Sequence, residues 1–418
     1  MGHEIDRRTF VGWGAATGGL ALAGCLGLGG DDGNGEKQNE SDGEGNETGE
    51  ESDETANVGP RLPEIEDKPD AVYVPTHRES MRALEPVAAG DYRLAPMLSY
   101  PHPFWLVTGD GEDDVQHVPP DQMRGVHMMF ALWDAETGVI LPVDSGNVVR
   151  LSRDGERVGS PQSMWPMLSQ EMGFHFGDNV PLEEDGTYTV EVELPPLSAR
   201  TTGDLAGRFD ESETATFEFD YDQDFRETVS DVDYFDEQRW GERSALEPMA
   251  HDHVPYSRLP EVDAFPGTLL VGTDESGEIR EGRPESTAEL PRSGDAAFLA
   301  TVLESDHRLT GGDGRSLLVS PRTPYNRVPL PNMSLDATIE RDGESVTAEP
   351  VSLEQTIDGE YGLHYGASLE DVDLRAGDTV TLTIRSPPQV ARHQGYDTAF
   401  LEMPPIELRV PEGSDDAE

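Results

Sequence analysis

From about position 60 the chain alternates short apolar runs with turns rich in Gly, Asp and Pro. In the segment 187–194, Tyr188, Val190 and Val192 recur at every second position, and the segment 379–384 repeats the pattern. A period of two is typical of strands that bury one face, and long amphipathic helical patterns are missing. The pattern therefore predicts an all-β fold of the sandwich type.

Two stretches of the chain repeat the same landmarks in the same order and at similar spacing. These are an apolar segment, a segment that leads to a histidine, an Arg-Asp-Gly-Glu turn, a Gly-x-His-aromatic-Gly segment and a Pro-Pro pair after an alternating strand. They lie at 72–76, 94–102, 153–156, 173–177 and 195–196, and again at 269–273, 299–307, 341–344, 362–366 and 387–388. Such self-similarity predicts a tandem duplication of an immunoglobulin-like sandwich. The two copies are expected to pack as an intramolecular pseudo-dimer that imitates a homodimer.

The composition along the chain divides it into six segments. Gly, Glu, Asp, Asn and Ser dominate the stretch before the first copy, which predicts a disordered acidic stalk. We expect a signal peptide at 1–24, the stalk at 25–66, the first sandwich at 67–222, a linker at 223–266, the second sandwich at 267–411 and an acidic tail at 412–418.

The N-terminus carries an export and anchoring pattern. Arg7 and Arg8 precede an apolar stretch at 11–24 that is too short to span a bilayer, which indicates a twin-arginine signal. The run Leu-Ala-Gly before Cys25 reads as a lipobox, so that lipidation of Cys25 would hold the protein on the lipid membrane at the extracellular face. The alternative is a buried helix that ends in an incidental cysteine. Because Cys25 is the single cysteine, no disulfide can form within the chain.

The charge of the chain describes its surroundings more than its function. Asp and Glu number 84 against 30 Lys and Arg, which gives a formal net charge of −54. Acidic residues spread along the whole chain exclude nucleic acid as a partner. They suit a halophilic protein in concentrated salt, where screening shortens the range of charge repulsion.

The candidate chemistry rests on histidine and methionine. No nucleophile elbow, phosphate-binding glycine loop, HExxH or CxxC motif is present, which favours a binding protein over an enzyme. Met164, Met167, His102 and His77 are candidates to converge with His175 on a metal ion. Thioether with imidazole suits copper, whereas imidazole with carboxylate suits iron or zinc. The alternatives are core packing for the methionines and a hydrogen-bonded structural imidazole for His175.

One further histidine is assigned to the core. His127 lies in the segment 126–130, a strand whose two faces are both apolar. We expect a core or edge residue there rather than a ligand.

The segments 164–167 and 173–179 resemble the hallmark of the periplasmic iron-transport proteins. That family consists of exported or lipid-anchored, homodimeric, immunoglobulin-like sandwiches that bind copper and iron and serve an iron permease. The resemblance covers most of 70–222 and extends more faintly to the second copy. It implies that Met167 and His175 are copper ligands and that a membrane iron permease is the partner.

The sequence departs from that family, and these differences suggest two separate sets of candidate ligands. The spacing from Met167 to His175 is one residue longer than in the family, and Gly-Arg-Phe at 207–209 stands where a further ligand histidine is expected. The second copy has His393 at about that distance after its Pro-Pro pair. Together with His364, Glu304 and His307, it suggests a second, harder set. The hypothesis is one copper-like site and one iron- or zinc-like site.

These observations favour a cell-surface lipoprotein that binds copper or iron, with zinc as a further candidate, and that assists iron uptake. The alternative is a structural or adhesive surface protein whose metal sites are vestigial, because a fold alone does not imply a function.

Overall fold

A computed structural model describes residues 60–411 of the chain, except 110, 112–113, 122–123, 144, 250, 252, 273–281, 306, 310–313, 370–371 and 373. The predicted signal peptide, the lipidation of Cys25, most of the stalk and the acidic tail lie outside the described residues. The described residues belong to one compact unit, Thr55–Glu418.

The first half of the described chain (60–222) folds into two facing sheets. One sheet contains, in spatial order, β2, β4, β7, β11, β10, β26 (Ala391–Arg392, from the second half), β5 and β6, with β3 beside β4. The other has the order β14, β12, β8 and β9. The strands of this half are β1 His77–Arg78, β2 Arg82–Ala83, β3 Val87–Ala89, β4 Tyr92–Ser99, β5 Phe104–Val107, β6 Val115–Val118, β7 Gly125–Asp134, β8 Val148–Arg153, β9 Glu156–Gln162, β10 Trp165–Ser169, β11 Gly173–Pro181, β12 Gly186–Leu194, β13 Arg200–Thr202 and β14 Glu213–Tyr221. The strand β1 pairs instead with Asp233–Tyr234, and β13 belongs to the sheet of the second half.

The strands of the second half (267–411) other than β26 belong to one 12-stranded sheet. Its path runs β16, β19, β20, β24, β23, β21, β25, β27 and β17, with β13, β18 and β22 attached at the side. The bounds are β15 Asp233–Tyr234, β16 Thr268–Leu269, β17 Val271–Gly272, β18 Arg292–Ser293, β19 Ala296–Leu303, β20 Ser316–Arg322, β21 Ser334–Arg341, β22 Glu344–Ser345, β23 Val351–Asp358, β24 Gly362–Ser368, β25 Thr379–Ser386, β26 Ala391–Arg392 and β27 Ile406–Arg409.

The segment between the halves carries most of the helix in the described residues. The α-helix α1 spans Gln223–Val229, and its N-cap Asp222 accepts a hydrogen bond from the Phe225 amide. Short 3-10 helices lie at Gly203–Leu205, Glu237–Arg239, Val262–Ala264 and Thr287–Glu289. No helix in the described part of the chain is both long and apolar enough to cross a membrane.

The alternating patterns form strands as predicted, so the all-β prediction is confirmed. In β12 the side chains of Tyr188, Val190 and Val192 are buried and their neighbours face outward. The predicted hairpin turns also form: Asp154 and Asp342, each followed by glycine, adopt a positive φ of 53° between their strands. A short polar side chain tolerates this left-handed conformation better than most residues do.

The two halves exchange one strand each. The strand β26, from the second half, lies parallel to β10 with Met167 opposite Ala391. The strand β13, from the first half, lies parallel to β23 with Arg200 opposite Thr356. Each half therefore contributes one strand to a sheet of the other half.

Candidate metal centre

Three adjacent strands of the first half bring a methionine and two histidines together. Met167 on β10 lies opposite His175 on β11, and His127 on β7 lies opposite Asn179 on β11. Residues two apart on a strand share a face. His175 and Asn179 therefore point to the same side, and all three candidate ligands are buried.

A fourth candidate ligand comes from the second half. His393 directly follows β26, and its amide donates a hydrogen bond to the Leu168 carbonyl at 3.1 Å. Its Nε2 atom lies 3.2 Å from Nε2 of His175. The exchange of β26 thus places His393 beside the candidate ligands of the first half. The sequence had instead suggested that His393 belongs to a second set with His364.

His102 completes the histidine cluster, which we define as His102, His127, His175 and His393. Its ring centroid lies 3.9 Å from that of His127 and 5.0 Å from that of His393. One ligand nitrogen from each of these three residues lies within 4.8 Å of the others. Such a group of buried imidazoles could hold a metal ion.

The hydrogen bonds of the rings fix their tautomers. Nδ1 of His175 donates to the Gly173 carbonyl at 3.2 Å, and Nδ1 of His102 donates to the Pro103 carbonyl at 3.0 Å. Nδ1 of His127 donates to Asn179 Oδ1 at 3.0 Å; the Asn179 amide nitrogen in turn donates to the His102 carbonyl. Because Nδ1 carries the proton in His175 and His127, each of these neutral rings offers the lone pair of Nε2 to the cluster.

The electrostatic surroundings keep most of these rings neutral. Burial lowers the pKa of His175 to about 3, and the neighbouring His393 adds to the effect. Burial likewise holds the pKa of His127 well below its ordinary value, with His102 and His393 contributing. Neutral imidazole is the form that binds metal, so the rings need not lose a proton first.

Glu79 provides the negative charge at the edge of the cluster. Its Oε2 atom lies 3.1 Å from Nε2 of His102, and its Oε1 atom lies 3.7 Å from Nδ1 of His393. Although burial opposes ionisation of Glu79, the charge of His102 holds the pKa of Glu79 well below its usual range. Burial opposes the charge on His102 as well, but the Glu79 carboxylate raises the pKa of His102.

The thioether of Met167 faces the cluster across a glycine. A Cβ atom placed on Gly177 would lie 3.1 Å from both Met167 Sδ and His127 Nε2, and 3.2 Å from Met129 Cγ. The absence of a side chain at Gly177 therefore keeps open the space between a sulfur and an imidazole nitrogen. Sulfur with several imidazoles is a donor set that suits copper, above all Cu(I).

Two other predicted candidates lie outside this set. Met164 is buried in the main hydrophobic core, and its amide binds Asn147 Oδ1 at 2.9 Å. His77 lines a neighbouring cavity together with Glu79 and His393, and its Nδ1 lies 2.8 Å from the Thr76 hydroxyl.

The corresponding position in the second half holds hydroxyl groups. His364 makes the same type of hydrogen bond as His175, since its Nδ1 donates to the Gly362 carbonyl at 3.1 Å. The strand registers then place Thr356 where Met167 stands, Ser316 where His127 stands and Thr202 where His393 stands. These four residues line a cavity of about 30 Å³. Hydroxyls are weak ligands for transition metals, so the donor chemistry is not repeated.

The remaining residues of the predicted second set are engaged elsewhere. Glu304 pairs with Arg315 at 3.1 Å, and the ring of His307 lies 6.3 Å from that of Tyr361. The prediction that His364, His393, Glu304 and His307 form one site is therefore wrong, because strand exchange moves His393 away. Beside His364, the buried Asp358 already pairs with Arg308.

Sequence reasoning missed two members of the centre. His127 was assigned to the core, and it is buried, but its ring belongs to the cluster. Glu79 lies in an irregular segment between β1 and β2 with no pattern to single it out. One feature of the sequence could have identified His127: it is a histidine in a segment, 126–130, whose other residues are apolar on both faces. A buried imidazole in such a segment needs a polar partner or a metal ion.

One family model and several solved structures are similar to parts of the chain. A family model described as a domain of unknown function, DUF7350, matches residues 265–409. No curated protein matches the chain. Two similar solved structures are of FetP from uropathogenic Escherichia coli. A copper-bound variant has 21% identity and a TM-score of 0.26, and covers 34% of this chain and 97% of its own. An as-isolated form has 18% identity and a TM-score of 0.25, and covers 34% and 95%.

Proposed function

We propose that the protein is an exported, lipid-anchored metal-binding protein that holds copper or iron at the cell surface and passes metal to a membrane iron importer. The observation that carries the metal-binding step is the grouping of the buried His102, His127 and His393, whose ring nitrogens lie within 4.8 Å of one another. Met167 Sδ and Nε2 of His127 both border the space above Gly177. The export signal, the anchor at Cys25 and the importer are parts of the proposal that come from the sequence patterns and the family resemblance.

The arrangement supports retention of a metal ion rather than catalysis. A buried site with neutral imidazoles and a thioether stabilises Cu(I), and the strands on both sides fix the ligands before the ion arrives. The chain would then bind copper stoichiometrically and release it to a partner with a stronger or better exposed ligand set.

We also propose that the two halves arose by tandem duplication and that one of the two equivalent positions has lost its ligands. The matching strand registers and the reciprocal exchange of β13 and β26 support this. One copper ion per chain follows, since the second position offers Ser316, Thr202 and Thr356 beside a single histidine.

Copper(I) competition titrations of His175→Asn and His364→Asn test the proposal. Both histidines are buried and both have the same hydrogen bond from Nδ1 to a glycine carbonyl, so the pair is closely matched. We expect one equivalent of copper(I) in the wild type, an affinity at least about 10-fold to 100-fold lower in His175→Asn, and no change in His364→Asn. Equal losses in both variants, or a wild type that binds no copper, would contradict the proposal. The second of these outcomes would favour a structural surface protein.

A further inference from the structure

One cavity joins the histidine cluster to the surface. It measures about 40 Å³, and the candidate ligand His393 forms part of its wall. Met81 and Met172 line the same cavity, and both are only partly buried, so this end is open to solvent. A copper ion that reaches or leaves His393 by this cavity passes thioethers, which suit Cu(I).

The N-terminal end of the described chain lies at this cavity. The Pro63 carbonyl accepts hydrogen bonds from Thr76 Oγ1 at 2.8 Å and from Gln394 Nε2 at 3.4 Å. Gln394 is part of the cavity wall, and so is His77, the residue that follows Thr76. The chain therefore joins the fold beside the opening of the cavity.

Further contacts fix this entry point. The Arg61 carbonyl accepts a hydrogen bond from the Tyr234 hydroxyl at 2.6 Å. Nζ of Lys68 pairs with the Asp397 carboxylate at 2.7 Å and lies 4.5 Å from the ring centroid of Trp105, over its face. Because Asp397 belongs to the second half and Trp105 to the first, the start of the folded chain is held by both halves.

The predicted tether is short enough for the entry point to matter. A disordered stretch at 25–59, as the sequence predicts, has an end-to-end distance of about 30–35 Å, so a lipid on Cys25 keeps the cavity within that reach of the bilayer. The other end of the described chain leaves the fold elsewhere. The Val410 amide donates to the Asp378 carbonyl and the Val410 carbonyl accepts from the Gly377 amide, and neither partner lines the cavity.

We infer that the face around this cavity is turned towards the membrane and is the surface on which a membrane-held acceptor of Cu(I) docks. The acceptor takes the ion past Met81 and Met172, so it needs soft ligands of its own, such as thioethers or thiolates. A short tether raises the effective concentration of the cavity at the membrane without any new contact. The inference rests on the proposed function for the lipid anchor and for the copper ion.

Moving the tether to the other end of the chain tests this inference. Cys25 is the single cysteine, so the mature chain can be coupled through it to a maleimide phospholipid in vesicles, independently of natural lipidation. The matched control begins at Pro60 and carries the stretch 26–59 and a cysteine after its last residue. In both proteins a donor fluorophore coupled to Arg82→p-azidophenylalanine marks the cavity, because the exposed Arg82 follows Met81. A rhodamine-labelled lipid in the vesicles accepts the energy, and concentrated potassium chloride screens the charge of the tether.

Energy transfer should be at least about 2-fold more efficient with the natural tether, because only that tether holds the cavity near the lipid. Once loaded with copper(I), the protein with the natural tether should deliver the ion at least about 5-fold faster to bicinchoninate displayed on the vesicle. Free bicinchoninate should take copper(I) from both proteins at the same rate, which shows that the cavity itself is unchanged.

Equal energy transfer from the two tethers would overturn the inference. Unequal energy transfer with equal delivery to the vesicle would overturn the docking role, because the ion would then leave the protein by another route. Unequal energy transfer in a chain that binds no copper(I) would support the orientation of the cavity while contradicting the proposed copper site.

Discussion

Gly177 determines how much space the candidate ligands on β11 and its neighbouring strands leave between them. Its backbone has no positive φ that would demand glycine, so the reason for glycine is the space above its Cα atom. Gly366 occupies the corresponding place on β24, but there a Cβ atom would lie 3.6 Å from the nearest heavy atom, the Leu317 carbonyl oxygen. A side chain would therefore crowd its neighbours at position 177 but not at position 366.

Substitution of Gly177 by alanine should weaken copper(I) binding without unfolding the protein. The added methyl would lie 3.1 Å from Met167 Sδ and His127 Nε2, so both ligands must move away from the ion. We expect copper(I) affinity to fall by about 10-fold or more, as for other changes that misplace ligands. Competition titration and thermal melting of Gly177→Ala and Gly366→Ala provide the measurement. A Gly177→Ala protein with the affinity of the Gly366→Ala control would show that the thioether is not a ligand.

His364, which binds no metal in our proposal, should make the stability of the protein depend on pH. Burial lowers the pKa of His364 to about 4, against about 6.5 in an unfolded chain. The unfolded state therefore binds the extra proton between these values, and stability is lost as the pH falls from 7 towards 4. The loss from this residue between pH 7 and pH 5 is about 2 kcal/mol.

Urea unfolding of the metal-free wild type and of His364→Asn at pH 7 and pH 5 measures this contribution. Other groups titrate alike in both proteins, so the difference between the two pH-dependent losses isolates His364. The wild type should lose about 2 kcal/mol more than the variant over this interval. Equal losses would contradict the lowered pKa, because His364 would then take up its proton over the same pH range in the folded and the unfolded protein.

At the scale of elements, the exchanged strands decide where the candidate metal centre lies. The strand β26 is only two residues long, yet it fixes Ala391 and Arg392 beside β10 and delivers His393 to the cluster. The buried guanidinium of Arg392 supports this turn by donating to the Pro388 and Ala399 carbonyls at 2.8 and 2.7 Å. The counterpart β13 delivers Thr202, which donates to Asp358 rather than to a metal ion.

The same elements show what the sequence could and could not predict. The strands β12 and β25 and the turns at Asp154 and Asp342 depend on neighbouring residues, and their alternation or turn chemistry predicted them. The place of His393 depends on a pairing between residues more than two hundred positions apart, which no local pattern encodes. His127 was misjudged for a related reason: its strand has two apolar faces because both are buried, and that pattern hides a ligand.

For the whole molecule, the two halves form one structure rather than two modules on a linker. Hydrogen bonds between the halves reinforce the exchanged strands: Lys68 and Tyr73 bind the Asp397 carboxylate at 2.7 and 2.6 Å, and the Val72 amide binds Asp295 at 2.6 Å. Within the connecting segment 223–266, Ser257 accepts from the Phe174 amide at 2.6 Å. Separation of the halves would break both sheets and expose the cluster.

Cleavage of the chain between the halves should therefore leave the fold and the metal centre intact. A protease site inserted after the exposed Glu247 would cut the covalent link while β13, β26 and the Asp397 contacts still hold the fragments together. We expect the fragments to co-elute in size-exclusion chromatography at high salt, to unfold in one transition and to bind one copper(I) ion.

Each half produced alone should lack copper(I) affinity, because Met167 and His175 lie on one half and His393 on the other. Uncut protein with the inserted site is the control for the insertion itself. Fragments that separate under native conditions, or a first half that binds copper(I) as tightly as the whole chain, would show that the second half is dispensable for the metal centre.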